Sequence, residues 1–471
     1  MKPVLLIDIG STYTKVTAID VEGAEILGRA AAPTTAQTDM SEGLRLALRR
    51  LEEACGRRWD FGEKWAASSA AGGLRLVAIG LVPELTAEAA RRAALGAGAR
   101  VLRAFAYRMD KADVQELERL EPDVILLAGG TDGGNRDVVL HNARQVAASR
   151  CRAPVVVACN RDVAEEVSRI LEEGGNAARV ASNVMPALGS LEVEGARAAI
   201  REVFLETIVK AKGLHNVEAL VNGVLMPTPA AVLAAARLLS EGIPSQPGWG
   251  ELLVVDVGGA TTDVHSLGEG KPTRPGVTLK GLPEPFAKRT VEGDLGVRVS
   301  AEALVEAVGA APVARWSGWS PQAVLTRARY LSRHPHVLAH DEASRRFDTA
   351  LARVAVEEAV RRHAGRLQEV ATPLGIHRFQ WGKDLSSVGW IIGTGGVIIH
   401  HQQPEEILAG ALVAGSEAEK RVAEGSEGQV LGPSGARLVV DARYVLSAAG
   451  LLAQNYPRAA MAMMNRYLQE V

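Results

Sequence analysis

Two segments of the chain place an aspartate at the end of an apolar run, with glycine and hydroxyl residues directly after it. They read IDIGSTYTK at 7–15 and VDVGGATTD at 255–263. A carboxylate at a strand end can hold a hydrated Mg²⁺, which usually takes only one or two protein carboxylates. Glycine lets the backbone approach a phosphate closely, and hydroxyl groups beside turn N–H groups form an anion-binding concavity. Each segment therefore predicts a site for a phosphate and its metal ion.

The residues of these two segments receive specific predicted roles. Asp8 and Asp256 are predicted to hold Mg²⁺ through water, and one of them to position an attacking water. The predicted phosphate ligands of the first segment are Gly10, Ser11, Thr12, Thr14 and Lys15. The predicted phosphate ligands of the second segment are Gly258, Gly259, Thr261, Thr262 and Asp263. Facing each other, the two turns would hold a triphosphate and its metal from both sides.

The two segments also match each other residue by residue, at a constant offset of 248. Asp8 aligns with Asp256, and Gly10 aligns with Gly258. An internal repeat of this kind indicates two similar domains. Aspartate and glycine are also common turn residues, so either segment alone could be purely structural. The matching register of both segments favours the phosphate-binding interpretation.

A third glycine-rich segment follows a buried strand late in the chain. WIIGTGGVI at 390–398 passes from an apolar run into Gly393, Thr394, Gly395 and Gly396, and then into an apparent helix. Glycines at such a turn let the backbone pack closely against a flat base and its ribose. Because it comes third, after two Asp-Gly hairpins, we predict that these four residues bind adenosine.

The segment EGDLG at 292–296 carries two carboxylates framed by glycines. Glu292 and Asp294 are candidate catalytic residues that would position the attacking water or a water of the Mg²⁺ shell. The same residues also suit an acidic turn that precedes and caps a helix. Both interpretations stay open at the level of sequence.

The segment AGGTDGGN at 128–135 also follows a buried strand and could bind phosphate. It lacks an aspartate at the strand end and lies outside the repeated unit, so we predict a structural or substrate-side loop. No G-x-x-x-x-G-K-[ST] segment is present, and no G-x-G-x-x-G segment opens a helix. P-loop and dinucleotide-binding folds therefore lose support.

Asp263 also begins the segment DVHSLG at 263–268, which matches the short D-x-H-x-x-G signature of proteins that ligate cobalamin cobalt with histidine. The segment alternates as the strand that leaves the second hairpin would. No Ser-x-Leu match follows where a cobalamin module would have one. His265 is therefore predicted to be a sheet residue, and no directly bound cobalamin is expected.

The elements that must position these residues follow from hydrophobic periodicity. Strands at 4–10, 12–20 and 24–32 form a meander, and strands then alternate with helices to about residue 215, which predicts an α/β fold. Residues 297 to 380 are predicted to be mainly helical. The predicted domains are 1–250, with an α/β insertion at about 110–215, then 251–440, and C-terminal helices at 441–471 that return to the first domain.

Composition limits the classes of partner. The chain has 471 residues, and Lys+Arg 53 against Asp+Glu 55 gives a formal charge of −2, so nucleic acid and anionic membranes are not indicated. No apolar run reaches the roughly 18 residues that a bilayer requires. We therefore predict a cytoplasmic protein. Cys55, Cys151 and Cys159 lack metal-site spacing, which opposes an iron–sulfur activator of a dehydratase.

The three motifs, in this order, resemble the phosphate-1, phosphate-2 and adenosine motifs of the actin, sugar kinase and heat-shock chaperone ATPase superfamily. The resemblance implies an actin-like (ribonuclease H-like) fold, with two similar domains around a cleft that binds ATP and Mg²⁺. It also implies a nucleotide-dependent rotation of the domains. Lys15 matches the actin-like variant of phosphate-1, which implies contact with the β- and γ-phosphates.

The sequences of four segments narrow the resemblance to one family within this superfamily. SSAAGGLR (68–75), ILLAGGTDGGN (125–135), VDVGGATTDVHS (255–266) and VEGDLG (291–296) resemble the MutL-like proteins associated with glutamate mutase, which are unrelated to the mismatch-repair protein of that name. The resemblance implies an accessory ATPase of an adenosylcobalamin-dependent mutase, acting as a reactivating factor or chaperone. Mutase subunits would be its partners, and a homodimer is possible. The alternatives are a small-molecule kinase on the same fold and a nucleotide-binding scaffold protein.

Overall fold

The structure is a computed structural model that describes residues 1–10, 13–35, 40–69, 74–211, 221, 225–373, 375–413 and 428–471. The chain divides into two compact units. Unit 1 comprises Met1–Ala235 and Leu446–Met463, and unit 2 comprises Ala236–Val445 and Met464–Val471. Across the described ranges, no helix combines the length and the apolar character that crossing a membrane requires.

Unit 1 contains two sheets and the helices that cover them. Its described strands are β1 (Pro3–Ile9), β2 (Tyr13–Asp20), β3 (Glu25–Pro33), β4 (Glu63–Ser68), β5 (Arg75–Ile79), β6 (Arg100–Phe105), β7 (Val124–Leu127), β8 (Val155–Val157), β9 (Ala178–Val180) and β10 (Leu225–Pro227). Its described helices are Met40–Cys55, the π-helical turn Pro83–Ala87, Glu88–Gly96, Lys111–Leu120, Asp137–Ala148, Ala164–Glu173 and Glu194–Ala211. The helices Thr228–Glu241, Val445–Leu452 and Pro457–Tyr467 contain the points at which the chain passes between the units.

The first sheet of unit 1 has the strand order β10-β4-β1-β2-β3. β1 pairs antiparallel with β2 and parallel with β4, and β4 pairs parallel with β10. β1 is the central strand, and Val4, Leu5, Leu6 and Ile7 are all buried in it. A continuous apolar run of this kind suits a strand that is covered on both faces.

The second sheet of unit 1 has the order β6-β5-β7-β8-β9, and all its strands are parallel. The helices Lys111–Leu120, Asp137–Ala148 and Ala164–Glu173 share one apolar core with this sheet. The helices Glu88–Gly96 and Glu194–Ala211 pack against each other and contribute no residue to that core, which places them on the opposite face. This 2-1-3-4-5 order with helices on both faces is the flavodoxin-like arrangement.

Unit 2 follows the same plan as the first sheet of unit 1, with additional helices. Its described strands are β11 (Gly242–Ile243), β12 (Gln246–Pro247), β13 (Leu252–Val257), β14 (Thr262–Leu267), β15 (Val277–Lys280), β16 (Ala287–Glu292), β17 (Gly365–Thr372), β18 (Gly375–Trp381), β19 (Trp390–Thr394), β20 (Gln429–Leu431), β21 (Arg437–Val440) and β22 (Gln469–Glu470). Its described helices are Ala301–Val308, Ala310–Ser317, Pro321–Arg333, Glu342–His363, Gly396–Ile399, Glu405–Leu408 and the 3₁₀ turn Ala409–Ala411.

The main sheet of unit 2 has the order β16-β14-β13-β19-β21-β22. β13 pairs antiparallel with β14 and parallel with β19, as β1 does with β2 and β4. The two units therefore share the ribonuclease H-like strand order, and the flavodoxin-like sheet is inserted between β4 and β10. The predicted actin-like α/β fold, with two similar halves and an α/β insertion in the first half, is confirmed.

One secondary-structure prediction is partly wrong. The helical prediction for 297–380 holds as far as His363, but Gly365–Thr372 and Gly375–Trp381 form the antiparallel strands β17 and β18. These strands belong to a separate sheet of order β15-β18-β17-β20. Pairing with β15 and β20, which are distant in sequence, decides the conformation here, because short alternating segments do not specify helix or strand by themselves.

Gly450, in the helix Val445–Leu452, has no side chain and therefore allows close packing inside unit 1. A Cβ atom on Gly450 would overlap the carbonyl oxygen of Ala231. We expect Gly450→Ala to destabilise the protein by about 1–3 kcal/mol, because backbone cannot move aside cheaply. The midpoint of thermal unfolding measures this, and it should fall by several degrees. Gly435→Ala is the matched control, since no atom of the part of the chain that the structure describes lies within 4 Å of its Cβ position. Equal midpoints for the two variants would contradict the packing argument.

Candidate functional site

The two repeated segments form hairpins of matching geometry. In the first, the Gly10 N–H donates to the Tyr13 carbonyl over 3.0 Å; in the second, the Gly258 N–H donates to the Thr261 carbonyl over 2.9 Å. A Cβ atom on either glycine would lie 2.8 or 3.0 Å from that same carbonyl oxygen. Both turns therefore require glycine for the same reason. Ser11 and Thr12, two predicted phosphate ligands, lie outside the described residues.

In unit 1, Asp8 lies at the end of the central strand, directly opposite Lys15 in the β1–β2 register. The Thr228 hydroxyl donates to Asp8 Oδ1 over 2.7 Å. Burial raises the pKa of the Asp8 carboxyl above its usual value, against the opposing effects of the Lys15 charge and the Thr228 hydrogen bond. Thr228 was not among the predicted residues. The sequence points to Thr228 only through its position as the first residue of a small-residue helix after β10.

The threonines at equivalent positions in the two hairpins are both fully buried. Thr14 Oγ1 lies 3.0 Å from Thr34 Oγ1 in unit 1. In unit 2, the Thr262 hydroxyl donates to the Leu295 carbonyl over 2.7 Å. Each hydroxyl therefore ties its hairpin to a neighbouring segment of the same unit.

In unit 2, residues 293–300 pack against the second hairpin turn. The Val297 and Arg298 N–H groups donate to the carbonyls of Gly258 and Gly259 over 3.1 and 2.8 Å. The Ser300 hydroxyl donates to the Ala260 carbonyl over 2.7 Å. Since three consecutive carbonyls of the turn are held in this way, the segment after β16 fixes the conformation of the predicted phosphate loop.

Glu292 and Asp294 both form ion pairs with Arg362, which lies near the end of the helix Glu342–His363. Arg362 donates to Glu292 Oε2 over 2.9 Å and to both Asp294 carboxylate oxygens over 2.8 and 2.9 Å. It also donates to Glu358 over 2.7 Å. Burial raises the pKa of Glu292. Burial also opposes ionisation of Asp294, but the hydrogen bonds and charge of Arg362 outweigh it and lower the pKa of that carboxyl.

Asp256 and the third glycine-rich segment lie side by side in unit 2. β13 pairs with β19 so that Asp256 is opposite Thr394. Gly395 has φ +98, and a Cβ atom there would lie 2.9 Å from Asp256 Oδ1. The structure thus brings the predicted adenosine-binding turn into contact with the predicted Mg²⁺-holding aspartate, although 138 residues separate Asp256 from Thr394.

The glycines of that turn have different surroundings. A Cβ atom on Gly393 would lie 2.5 Å from Leu408 Cδ2, so this glycine allows a leucine to pack against the strand. Gly396 faces the Tyr444 hydroxyl, which lies 3.6 Å from its Cβ position. The Thr394 hydroxyl donates to the buried carboxylate of Asp441 over 3.3 Å. Asp441, which sequence reasoning missed, also accepts from the Val445 N–H over 2.7 Å and so holds the start of the following helix.

Asp263, opposite Asp256 in the β13–β14 register, is paired with a buried arginine. Arg289 Nε donates to Asp263 Oδ1 over 2.8 Å, and the Thr261 hydroxyl donates to Oδ2 over 3.3 Å. Arg289 is 5% exposed. The charge of Asp263 is therefore largely balanced inside the protein.

His265 lies within β14, which confirms its prediction as a sheet residue. It is 1% exposed, and its Nδ1 atom has no hydrogen-bond partner among the described residues. Burial, together with the positive charge of Arg289, lowers the pKa of His265 to about 3, although Asp263 opposes the shift. The imidazole is therefore neutral at physiological pH.

In chemical terms, each unit offers a carboxylate at the end of its central strand beside a tight glycine turn. Unit 1 adds the Lys15 cation and the Thr228 hydroxyl. Unit 2 adds the glycine turn at 395–396. Such sets suit a hydrated divalent cation and a phosphate group.

The buried neutral His265 generates a pH dependence of stability. Its pKa is below the value of 6.5 that applies to the unfolded chain, so the unfolded state binds the proton first as pH falls. The contribution of His265 to stability should therefore be fully present above pH 6.5 and should be lost progressively from pH 6.5 towards pH 3. Replacing His265 by Leu should reduce the loss between pH 6.5 and 5.5 by about 1 kcal/mol, as measured by urea denaturation. The exposed His377→Leu variant is the control; a His265→Leu slope identical to that of the control would exclude this effect.

Comparisons with known proteins agree with an end-to-end family relationship. A family model described as MutL protein matches residues 4–468. Protein MutL of Clostridium tetanomorphum is 48% identical over 472 residues, covering 100% of both chains. Among solved structures, nucleotide-free acetone carboxylase matches with a TM-score of 0.40 and 15% identity, over 96% of this chain and 70% of its own. Component A of (R)-2-hydroxyglutaryl-CoA dehydratase from Acidaminococcus fermentans matches with a TM-score of 0.31 and 11% identity, over 98% and 100%.

The strand orders of the two units, and not these two structural likenesses, identify the fold. The family follows from the model match, which spans nearly all of the chain, and from the 48% identity of the Clostridium protein. The chain therefore belongs to the MutL protein family.

Proposed function

We propose that this chain is an ATPase that serves an adenosylcobalamin-dependent mutase, glutamate mutase or a related aminomutase, as a reactivating factor. The observation that carries the ATPase part is the matched pair of Asp-Gly hairpins at the ends of the central strands of two ribonuclease H-like sheets. The contact of Gly395 with Asp256 supports it further. Repetition of one tight turn in two units is difficult to explain as ordinary turn formation, because nothing in the fold alone requires an aspartate at both strand ends.

In this proposal Asp8 and Asp256 hold Mg²⁺ through water, and one of them positions the attacking water. The phosphates are held by Gly10, Ser11, Thr12, Lys15, Gly258, Gly259 and Thr261. The buried Thr14 and Thr262 instead fix the two hairpins, and the charge of Asp263 is balanced by Arg289. Gly395 and Gly396 line the adenosine, while Gly393 and Thr394 hold the turn through their contacts with Leu408 and Asp441. Phosphoryl transfer of this type depends mostly on positioning and electrostatics, which a rigid turn and a fixed carboxylate can provide.

The ion pairs of unit 2 favour an ATPase over a small-molecule kinase. A kinase needs a carboxylate free to accept a proton from a substrate hydroxyl. Asp263 and Asp294 are the carboxylates that a kinase could recruit for that role, and each is held by an arginine, Arg289 and Arg362 respectively. In the proposed ATPase, Glu292 and Asp294 position water at most indirectly, because Arg362 fixes them beside the segment that supports the second hairpin.

The mutase part of the proposal rests on the resemblance of four segments to MutL-like proteins associated with glutamate mutase. His265 lies inside a strand and is buried, so the proposal assigns cobalamin to the partner mutase rather than to this chain. ATP binding and hydrolysis would shift the populations of two conformations, and the mutase would bind one of them more tightly. Exchange of damaged cobalamin for intact cofactor would follow from that difference.

The first test concerns the nucleotide site. Asp256→Asn should lower the rate of ATP hydrolysis by about 10²-fold or more, because the amide cannot hold a hydrated Mg²⁺ or orient water as a carboxylate does. Phosphate release and the thermal midpoint should be measured together, and the midpoint should stay near that of the wild type. Asp60→Asn, at an exposed position, is the control and should hydrolyse ATP normally. Normal hydrolysis by Asp256→Asn would reject the site.

The second test concerns the partner. A glutamate mutase blocked with cyanocobalamin should regain activity when adenosylcobalamin, Mg²⁺, ATP and this protein are added together. Omitting ATP, or using the Asp256→Asn variant, should leave the mutase blocked. Co-purification of mutase subunits should change between ATP and ADP. Recovery that is equal with and without this protein would exclude the reactivating role while leaving the ATPase proposal intact.

A further inference from the structure

The flavodoxin-like sheet of unit 1 has a feature that the proposed ATPase does not use. We propose that unit 1 carries a second ligand site at the carboxyl edge of this sheet, between the loops that follow β5 and β7. Its ligand is a small organic phosphate that also carries a flat apolar group. The site lies outside both Asp-Gly hairpins and does not depend on the function proposed for them.

The strand order determines where the site lies. β5 is flanked by β6 on one side and by β7 on the other, so the chain leaves β5 and β7 in opposite directions. The helix after β7, Asp137–Ala148, shares the core of one face, whereas the helix Glu88–Gly96 after β5 lies on the other. Connections that diverge in this way leave a crevice at the carboxyl ends of the strands, and open α/β sheets bind their ligands there.

The loop after β7 is held in a single conformation by two buried asparagines. Asn160 accepts from the Gly133 N–H over 3.3 Å and donates to the carbonyls of Gly134 and Asn135 over 3.3 and 3.4 Å. Asn183 donates to the Gly130 carbonyl over 3.1 Å. Both asparagines are at most 5% exposed. A buried amide is unfavourable unless its hydrogen bonds are satisfied, so these two side chains specify the loop.

The same loop contains N–H groups that have no acceptor among the described residues. The amides of Gly129, Gly130 and Thr131 make no hydrogen bond to any residue that the structure describes. Gly129 and Gly130 are buried. Buried backbone N–H groups are nearly always paired, and a run of successive unpaired ones is a site for an anion such as phosphate.

An exposed aromatic residue, Tyr107, follows β6 at the same carboxyl edge of the sheet. Tyr107 is 60% exposed and has φ +67, a left-handed conformation that is unfavourable for tyrosine. Its N–H donates to the Leu81 carbonyl over 3.0 Å, which fixes it beside the loop after β5. Asn142, 1% exposed, accepts from the Met109 N–H and donates to the Tyr107 carbonyl, each over 2.9 Å.

This combination indicates the class of ligand. The strained backbone of Tyr107 is maintained by a buried asparagine, and its exposed aromatic ring belongs to the edge of the sheet where the crevice lies. An exposed aromatic ring provides a surface for a flat apolar group, while the free amides at Gly129–Thr131 suit the phosphate. Leu81 links Tyr107 to the loop after β7. Its carbonyl accepts from the Tyr107 N–H, and its Cβ atom lies 3.7 Å from the Cβ position of Gly129.

The test uses the full chain and flavin mononucleotide as the probe, because it combines a phosphate ester with a flat ring. Flavin fluorescence should be quenched on titration with the wild-type protein, and riboflavin, which lacks the phosphate, should bind at least tenfold more weakly. Hydrogen exchange at residues 105–110 and 128–135 should slow when the probe is bound. Excess ATP should not displace the probe.

The deciding variant is Tyr107→Gly, which removes the ring and suits a left-handed backbone, so the fold should be retained. It should weaken probe binding at least tenfold. Glu121→Gly is the matched control, because Glu121 is also left-handed, with φ 42, but precedes β7 at the opposite edge of the sheet. Absence of binding by the wild type, equal binding by the two variants, or displacement by ATP would each overturn the proposal.

Discussion

The same close contact between a glycine and a carbonyl oxygen occurs in both units and determines the geometry of the candidate site. In both units a glycine at the end of the central hairpin strand donates to a carbonyl three residues later, and a methyl group there would collide with that oxygen. The turn is therefore tight, and the aspartate two residues before it ends up at the strand end with its carboxylate at the sheet edge. Every other element of the candidate site acts by supporting this turn or by placing a further group beside its aspartate.

The contacts that support the hairpin turn are mostly ion pairs in unit 2 and hydrogen bonds of threonine hydroxyls in unit 1. Arg289 pairs with Asp263, Arg362 with Glu292 and Asp294, and Arg298 with Asp348, all of them partly or fully buried. Losing one partner of such a pair leaves a buried charge, which is far more costly than the net stabilisation of the pair. These pairs therefore specify the conformation of the second hairpin and its supporting segment. The first hairpin has the Thr14–Thr34 and Thr228–Asp8 contacts instead.

The chain joins two kinds of α/β sheet whose ligand positions follow from different rules. In the ribonuclease H-like sheets, the candidate groups come from an antiparallel hairpin and the ends of neighbouring parallel strands. In the inserted flavodoxin-like sheet, the crevice results from the reversal of strand order beside β5. Buried asparagines at the edge of the inserted sheet take the structural role that ion pairs take in unit 2.

By itself, the sequence determined the repeated hairpins, their aspartates and glycines, and the α/β class, because these depend on spacing within ten residues and on local periodicity. Only the tertiary structure decided that Thr228 contacts Asp8, that Arg362 holds Glu292 and Asp294, and that Gly395 meets Asp256. It also decided that β5 and β6 belong to the inserted sheet and that Gly365–Thr372 and Gly375–Trp381 are strands. Each of these contacts joins segments far apart in the chain, so no local pattern of residue types encodes it; it appears only when strand pairing and core packing bring the segments together.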